Sequence, residues 1–365
     1  MVSDSQEPFD AALVRSAAMH DLEFGHEVLA IARAGAGVNN IPVDSCTDKG
    51  IVVFNTPGAN ANGVKELVLC GMFMASRNII SAVDWVRTLK GQDDILKLVE
   101  KGKKQFVGPE LKGKTLGVIG LGAIGVMVAN AASAIGMNVI GYDPYISVES
   151  AWGLNREVVR EYKLEDLLSK VDFISLHVPL LDKTRDFLGK AEFARMRKGV
   201  VILNFARNGL LNYDSLYKAL KDGTVSKYVT DFPNDELLGY DNVIPIPHLG
   251  ASTPESEENC AHMAAKQLRD FLEHGSIVNS VNLPNCPVSP SADCRLTIIH
   301  KNMPNMVGQF TNILGAKGIN INEMVNKSRG NVAYTVFDLD TEIDSEMIKQ
   351  VSAVDGVIKV RLISR

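Results

Sequence analysis

Residues Leu116 to Asp143 constrain this chain more than any other stretch. A short apolar run, Leu116-Gly117-Val118-Ile119, leads directly into Gly120-Leu121-Gly122-Ala123-Ile124-Gly125. A small-residue helical pattern continues to Gly136, and a second apolar run, Met137 to Gly141, ends in Tyr142-Asp143. Strand, glycine turn, helix and strand in that order form a dinucleotide-binding unit. Gly120 permits the tight turn, Gly122 lets a pyrophosphate approach the backbone, and Gly125 lets helix pack on strand. Ala123 and Ile124 open the helix, whose unpaired N–H groups and positive dipole end face the phosphates. Asp143, eighteen residues after Gly125, stands where a carboxylate accepts from a ribose diol.

The whole chain suits two or three domains, at 365 residues. Hydrophobic residues make up 46% and charged residues 22%, the balance of a globular protein with large cores. A net charge of −5 without a basic block argues against nucleic acid. No apolar run reaches bilayer-spanning length, and the polar N-terminus does not read as a secretory signal. The five cysteines are scattered and lack a C-x-x-C pair, which suits reduced thiols in a cytoplasmic protein. No Cys or His spacing reads as a metal site.

Around the central stretch, apolar runs and helical patterns alternate. Phe9 to Val14, Val28 to Ala32 and Ile51 to Phe54 read as three strands of a small open α/β unit, with a helical stretch between the first two. Asn62 to Lys90 reads as one long helix, and Lys97 to Gly108 as a basic exposed loop, solvated or an anion contact. Beyond Asp143, strands are expected at Phe173–Val178, Gly199–Ala206, Lys227–Asp231 and Val243–Pro247, with helices between them. This alternation predicts an α/β fold, a doubly wound parallel sheet. Thr253-Pro254-Glu255 starts a helix that Gly275 ends. Val281 to Asp293 carries three prolines and reads as a linker, followed by a ferredoxin-like βαββαβ module.

Transfer of hydride to or from a 2-oxo acid needs a cation for the carboxylate, an acid–base group and a carboxylate beside it. Arg207, Glu236 and His248 supply those types, each just after an expected strand. Asp235, next to Glu236, is an alternative partner for the histidine.

These residues and motifs resemble the D-isomer-specific 2-hydroxyacid dehydrogenases, and within them the members that oxidise 3-phosphoglycerate and carry a C-terminal ACT regulatory domain. The carriers are residues 32–39, 54–60, the cofactor stretch, 203–207 and 247–253. The resemblance implies a Rossmann NAD domain, 62–251, inserted in a flavodoxin-like substrate domain of 1–61 and 252–282. A linker at 283–293 and an ACT domain at 294–365 complete the expected order. The family's N-terminal strand–helix unit is expected to be missing. By position, Arg207, Glu236 and His248 match the catalytic set. His177, Ala206, Asp231 and Gly250 match further NAD contacts. Arg15, Ser16, Arg33, Gly35, Gly37 and Asn60 match substrate-side positions, where Arg15 and Arg33 would read a phosphate. His300, Asn302 and Asn320 match a serine effector site, although Asn305 stands where a glycine is common. The implied activity is NAD-dependent oxidation of 3-phospho-D-glycerate to 3-phosphohydroxypyruvate, the first step of phosphorylated L-serine synthesis. The implied assembly is a homo-oligomer, dimer or tetramer. Reduction of another 2-oxo acid, such as glyoxylate or hydroxypyruvate, and non-catalytic NAD sensing are the alternatives.

Overall fold

The computed structural model describes residues 9–289 and 294–364. They form two compact units, one of residues 60–256 and one assembled from the segments on either side.

In the flanking unit, β1 (Ala11–Val14), β2 (Ala30–Arg33) and β3 (Val52–Phe54) form a parallel sheet in that order, with α1 (Val43–Asp48) before β3. The helix expected between the first two strands is not formed; residues 15–29 are irregular. Tertiary partners take the carbonyls a helix would use. Asn40 Nδ2 donates to Ala17 O at 2.8 Å, and Lys49 Nζ donates to Phe24 O at 3.2 Å. Met19, Phe24 and Val28 anchor the loop in the core.

The central unit opens with α2 (Ala61–Arg77) and α3 (Ile79–Thr88) in place of one continuous helix. Asn78 separates them in the left-handed region, φ 48°, a conformation asparagine tolerates. The expected basic loop is largely α4 (Ile95–Gly102), followed by a turn of 3₁₀ helix. Two of its lysines are paired with acids three residues earlier, Lys97 with Asp94 and Lys103 with Glu100. None of the described helices is long and apolar enough to cross a membrane; α2 and α3 reach that composition only as a pair bent by 61°.

Seven strands follow: β4 (Thr115–Ile119), β5 (Asn138–Tyr142), β6 (Val159–Arg160), β7 (Phe173–Leu176), β8 (Val200–Asn204), β9 (Val225–Thr230) and β10 (Val243–Pro245). They are all parallel, in the order β10-β9-β8-β7-β4-β5-β6. The connecting helices are α5 (Ala123–Ala134), α6 (Val148–Gly153), α7 (Leu164–Leu168), α8 (Lys190–Arg195) and α9 (Tyr213–Asp222). β4, β7 and β8 are buried on both faces, which explains their unbroken apolar runs. Strand order reverses at β4 and β7, so a crevice is expected above their carboxyl ends.

Helix α10 (Pro254–His274) starts at the expected N-cap, where Thr253 Oγ1 accepts from Ser256 N at 3.1 Å. The tail is β11 (Cys294–Lys301), α11 (Met306–Ala316), β12 (Ile321–Arg329), β13 (Val332–Leu339), α12 (Ser345–Ser352) and β14 (Val357–Ser364). Its antiparallel sheet has the order β12-β13-β11-β14. Leu296, Ile298 and Phe337 on one face pack with Phe310, Leu314 and Met347 of the helices. On the other face, Ile299, Tyr334 and Val336 share a core with Phe54, Leu268 and Phe271. The module is therefore docked within this unit. Tyr334 Oη donates to Gly275 O, Arg295 to His274 O, and Arg361 to Phe271 O and Leu272 O. These side chains cap carbonyls at the end of α10, two of them with the positive charge its dipole favours.

The expected linker also differs. Leu283 and Cys286 are buried, and Ile277 pairs with Cys286 as an isolated bridge. Residues 290–293 lie outside the described ones. No disulfide joins the five cysteines, of which only Cys70 is exposed.

Candidate active site

In the central unit, the turns after six parallel strands carry Gly120, Asp143, His177, Arg207, Asp231 and His248 on one sheet edge. Gly120 has φ +91°, and a Cβ there would lie 2.7 Å from His177 O. A Cβ on Gly125 would lie 1.9 Å from Gly120 O, so only glycine lets α5 pack so closely on the turn. At Gly122 a Cβ would meet nothing within 4 Å, leaving that face open for a diphosphate. Leu121 N–H donates to Asp143 Oδ2 at 2.8 Å and Tyr145 N–H to Oδ1 at 2.8 Å. Ala123 and Ile124 begin α5, their backbone at the helix N-terminus.

His177 is half-buried and hydrogen-bonded through Nε2 to Ser175 Oγ at 2.8 Å. Burial pushes its imidazole down to about 3, so it is neutral at ordinary pH.

Asp231 is only 2% exposed; the backbone N–H groups of Asp231 and Gly250 are near its carboxylate, but neither oxygen is held by a well-aligned hydrogen bond among the described residues. Burial raises its pKa; the positive charges of His248 and Arg207 act in the opposite direction. A buried acceptor at this edge with unused lone pairs fits a ligand that brings a donor, such as a carboxamide N–H₂. With the open Gly122 face and Asp143, the residues present fit NAD. Gly250 is buried, and a Cβ there would sit 3.7 Å from Asp231 Oδ2.

Arg207 is exposed and donates through Nη1 to Ala206 O at 2.7 Å. Asn204 shapes this loop, accepting from Ala206 N and donating to Arg207 O at 3.0 Å. Phe232 packs on His248, ring centroids 4.7 Å apart and planes inclined by 59°. The structure thus brings Arg207, Asp231 and His248 into one electrostatic neighbourhood. Glu236 is exposed and makes no ion pair with His248 among the described residues. Its charge instead raises the pKa of Tyr217, after burial as the larger cause. Asp235 is likewise exposed.

In the flanking unit, Arg33 Nε donates to Arg15 O at 3.1 Å. Gly35 makes room for this: a Cβ there would lie 2.2 Å from Arg33 Nη1. Gly37 lies farther out, its Cβ position 3.9 Å from the same atom. Arg33 has a lowered pKa, from burial first and the Arg15 charge second, so the guanidinium pair is mutually repulsive. Arg15 is paired with Glu257 at 2.5 Å. Ser16 is exposed beside Arg15. Asn60 precedes α2 in the other unit.

His300, Asn302 and Asn320 do not all meet within a single chain. His300 is 2% exposed, and both ring nitrogens are engaged internally, with Lys301 O and Thr335 Oγ1 at 2.8 Å each. Asn302 bonds Gly330 O near the start of β13, whereas Asn320 N bonds Asp340 beyond its end. The two asparagines are therefore separated by the length of an eight-residue strand, roughly 25 Å.

Sequence reasoning missed Asn204, Phe232 and Glu257. Asn204 lies within the 203–207 motif, so its position next to the Arg207 loop was a usable signal. Glu257 reaches Arg15 only through chain closure, which no local pattern encodes.

Residues 69–250 match the model of the D-isomer specific 2-hydroxyacid dehydrogenase NAD binding domain. A D-3-phosphoglycerate dehydrogenase of Methanocaldococcus jannaschii is 43% identical over 272 residues, 73% of this chain and 50% of that one. That of Haemophilus influenzae is 30% identical over 361 residues, 94% of this chain and 83% of that one. The chain spans about half the length of the Methanocaldococcus jannaschii and Archaeoglobus fulgidus relatives, at 50% and 53%. Among solved structures, NAD⁺-bound 3-phosphoglycerate dehydrogenase of Entamoeba histolytica is 31% identical with a TM-score of 0.57, covering 75% of this chain and 82% of that one. D-mandelate dehydrogenase of Rhodotorula graminis, at 23% identity and TM-score 0.65 over 76% of this chain and 85% of that one, shares the fold. The chain belongs to the D-isomer-specific 2-hydroxyacid dehydrogenases.

Proposed function

We propose that this chain oxidises 3-phospho-D-glycerate to 3-phosphohydroxypyruvate with NAD, the entry step of phosphorylated L-serine synthesis. The observation that carries the substrate is the Arg15–Arg33 pair. An unphosphorylated 2-hydroxy acid needs one carboxylate clamp, and Arg207 can provide it. A guanidinium pair beyond that clamp, held in place although its members repel, suits a phosphate. Relatives named D-3-phosphoglycerate dehydrogenase support the same reading.

Bound NAD supplies the hydride acceptor. Arg207 holds the substrate carboxylate, while His248 takes the C2 hydroxyl proton as hydride leaves C2. Asp231, buried near His248, supplies an acceptor for the cofactor's amide and negative charge for a protonated imidazole. Glu236, with Asp235 as the alternative, is the proposed partner of His248 and must turn from Tyr217 to meet it.

The reading extends to a cytoplasmic homo-oligomer regulated by serine. β12 is an edge strand with mostly exposed side chains, and α3 exposes Ile79, Ile80, Val83 and Val86. An effector site that uses Asn302 and Asn320 together requires two copies of the tail. The substrate reading is tested by assaying Arg33→Ala with 3-phosphoglycerate and D-glycerate. A loss confined to the phosphorylated substrate is expected; equal losses with both contradict it.

A further inference from the structure

We infer that Glu257 is the resident anion of the phosphate subsite, occupying Arg15 until a substrate phosphate displaces it. The inference rests on the assignment of Arg15 and Arg33 to the phosphate. Among the described residues, Glu257 is the only carboxylate paired with either arginine. It contacts Arg15 Nη1 at 2.5 Å, with the two side chains 45% and 49% exposed. Both partners therefore stand at the solvent boundary, where an incoming anion can replace one of them.

The arrangement around them is built. Arg33 Nε and Asn40 Nδ2 both donate to Arg15 O, at 3.1 and 3.4 Å, which pins the backbone of the loop. Gly35 leaves the space Arg33 fills. Glu257 lies in the first turn of α10, three positions after its start at Pro254, so its placement comes from the helix rather than from a mobile loop. Two like charges held together require an anion, and a single carboxylate neutralises only one of them. A phosphate dianion can satisfy both. The hydrogen bond from Arg15 holds the Glu257 carboxyl below its ordinary range, so it stays an anion in competition with phosphate across neutral pH.

A resident anion weakens phosphate binding by the free energy of the pair it forms, and it does so in the ground state and transition state alike. Its effect should therefore appear in KM and not in kcat. An exposed ion pair supports a change of about two- to five-fold.

The full chain and its Glu257→Gln variant are titrated with inorganic phosphate by calorimetry. Both are then assayed with 3-phosphoglycerate and D-glycerate. Phosphate is expected to bind the variant about two- to five-fold more tightly. KM for 3-phosphoglycerate should fall by the same factor, and KM for D-glycerate should hold. In an Arg15→Ala background the Gln substitution should change nothing. Weaker or unchanged phosphate binding in Glu257→Gln, or no phosphate binding to either protein, overturns the inference. Tighter phosphate binding in a protein that fails to turn over 3-phosphoglycerate upholds the resident anion and removes the substrate assignment instead.

Discussion

The backbone N–H of Leu121 donates to Asp143 Oδ2 at 2.8 Å, tying the glycine turn after β4 to the acid that ends β5. This bond fixes the carboxylate at the mouth of the crevice and leaves it spare lone pairs for a ribose diol. Pro144 and Tyr145 follow it, offering no cation to a 2′-phosphate. NAD should therefore be preferred over NADP. Asp143→Ala should cost about 1.5–3 kcal/mol of NAD binding, tenfold or more, and narrow the preference. Cofactor titrations of both proteins check this, and an unchanged NAD/NADP ratio in the variant would contradict it.

His177 links the same crevice to stability. Its folded pKa of about 3 lies well below the ordinary histidine value of 6.5, so the unfolded chain binds a proton first on acidification. The stabilisation is complete above pH 6.5 and is lost as pH falls toward 3. The slope from one such group is at most about 1.4 kcal/mol per pH unit. Denaturant unfolding at pH 7.5 and pH 5 should show a smaller difference for His177→Gln than for the unaltered protein. Equal differences would place the proton on another group.

Much of this was legible before any coordinates. The strands of the central sheet are short apolar runs because both faces are covered, and the ligand-facing residues fall directly after them. What escaped reading depended on contacts between distant segments. The 15–29 loop looked helical, but Asn40 and Lys49 take its carbonyls. Asn62 to Lys90 kept an apolar period across Asn78, whose left-handed conformation broke the helix without a glycine or proline to announce it. Glu236 has the type and spacing of a histidine partner, while its nearness to Tyr217 on α9 is a contact that chain order does not announce.

A buried ion pair inside the tail, between β11 and β13, holds the arginine that reaches the end of α10. Arg295, 2% exposed, donates to both Asp338 oxygens at 2.6 and 2.7 Å and to His274 O at 2.7 Å. Arg295→Ala strands the Asp338 carboxylate and frees the His274 carbonyl, and should cost about 3–5 kcal/mol. Urea unfolding measures this. A loss below about 1 kcal/mol, the surface-pair range, would show that the contact is solvated.

Serine control is expected to need two copies. Asn302 and Asn320 sit at opposite ends of β13, so a site containing both must take one from each chain. Asn302→Ala and Asn320→Ala should each abolish serine inhibition while leaving uninhibited turnover intact. Mixed oligomers of the two variants should regain part of it, because one interface then carries both asparagines. Calorimetry with no serine binding to the intact protein would leave the tail an assembly module.

Initial-rate NADH formation from NAD and 3-phospho-D-glycerate tests the central claim most directly, with D-glycerate, D-lactate and glyoxylate reduction run alongside and His248→Ala as control. Steady turnover with the phosphorylated substrate, much weaker turnover with the others and near-complete loss in His248→Ala are expected. Efficient turnover of an unphosphorylated substrate without 3-phosphoglycerate oxidation, or an active His248→Ala, would contradict the account.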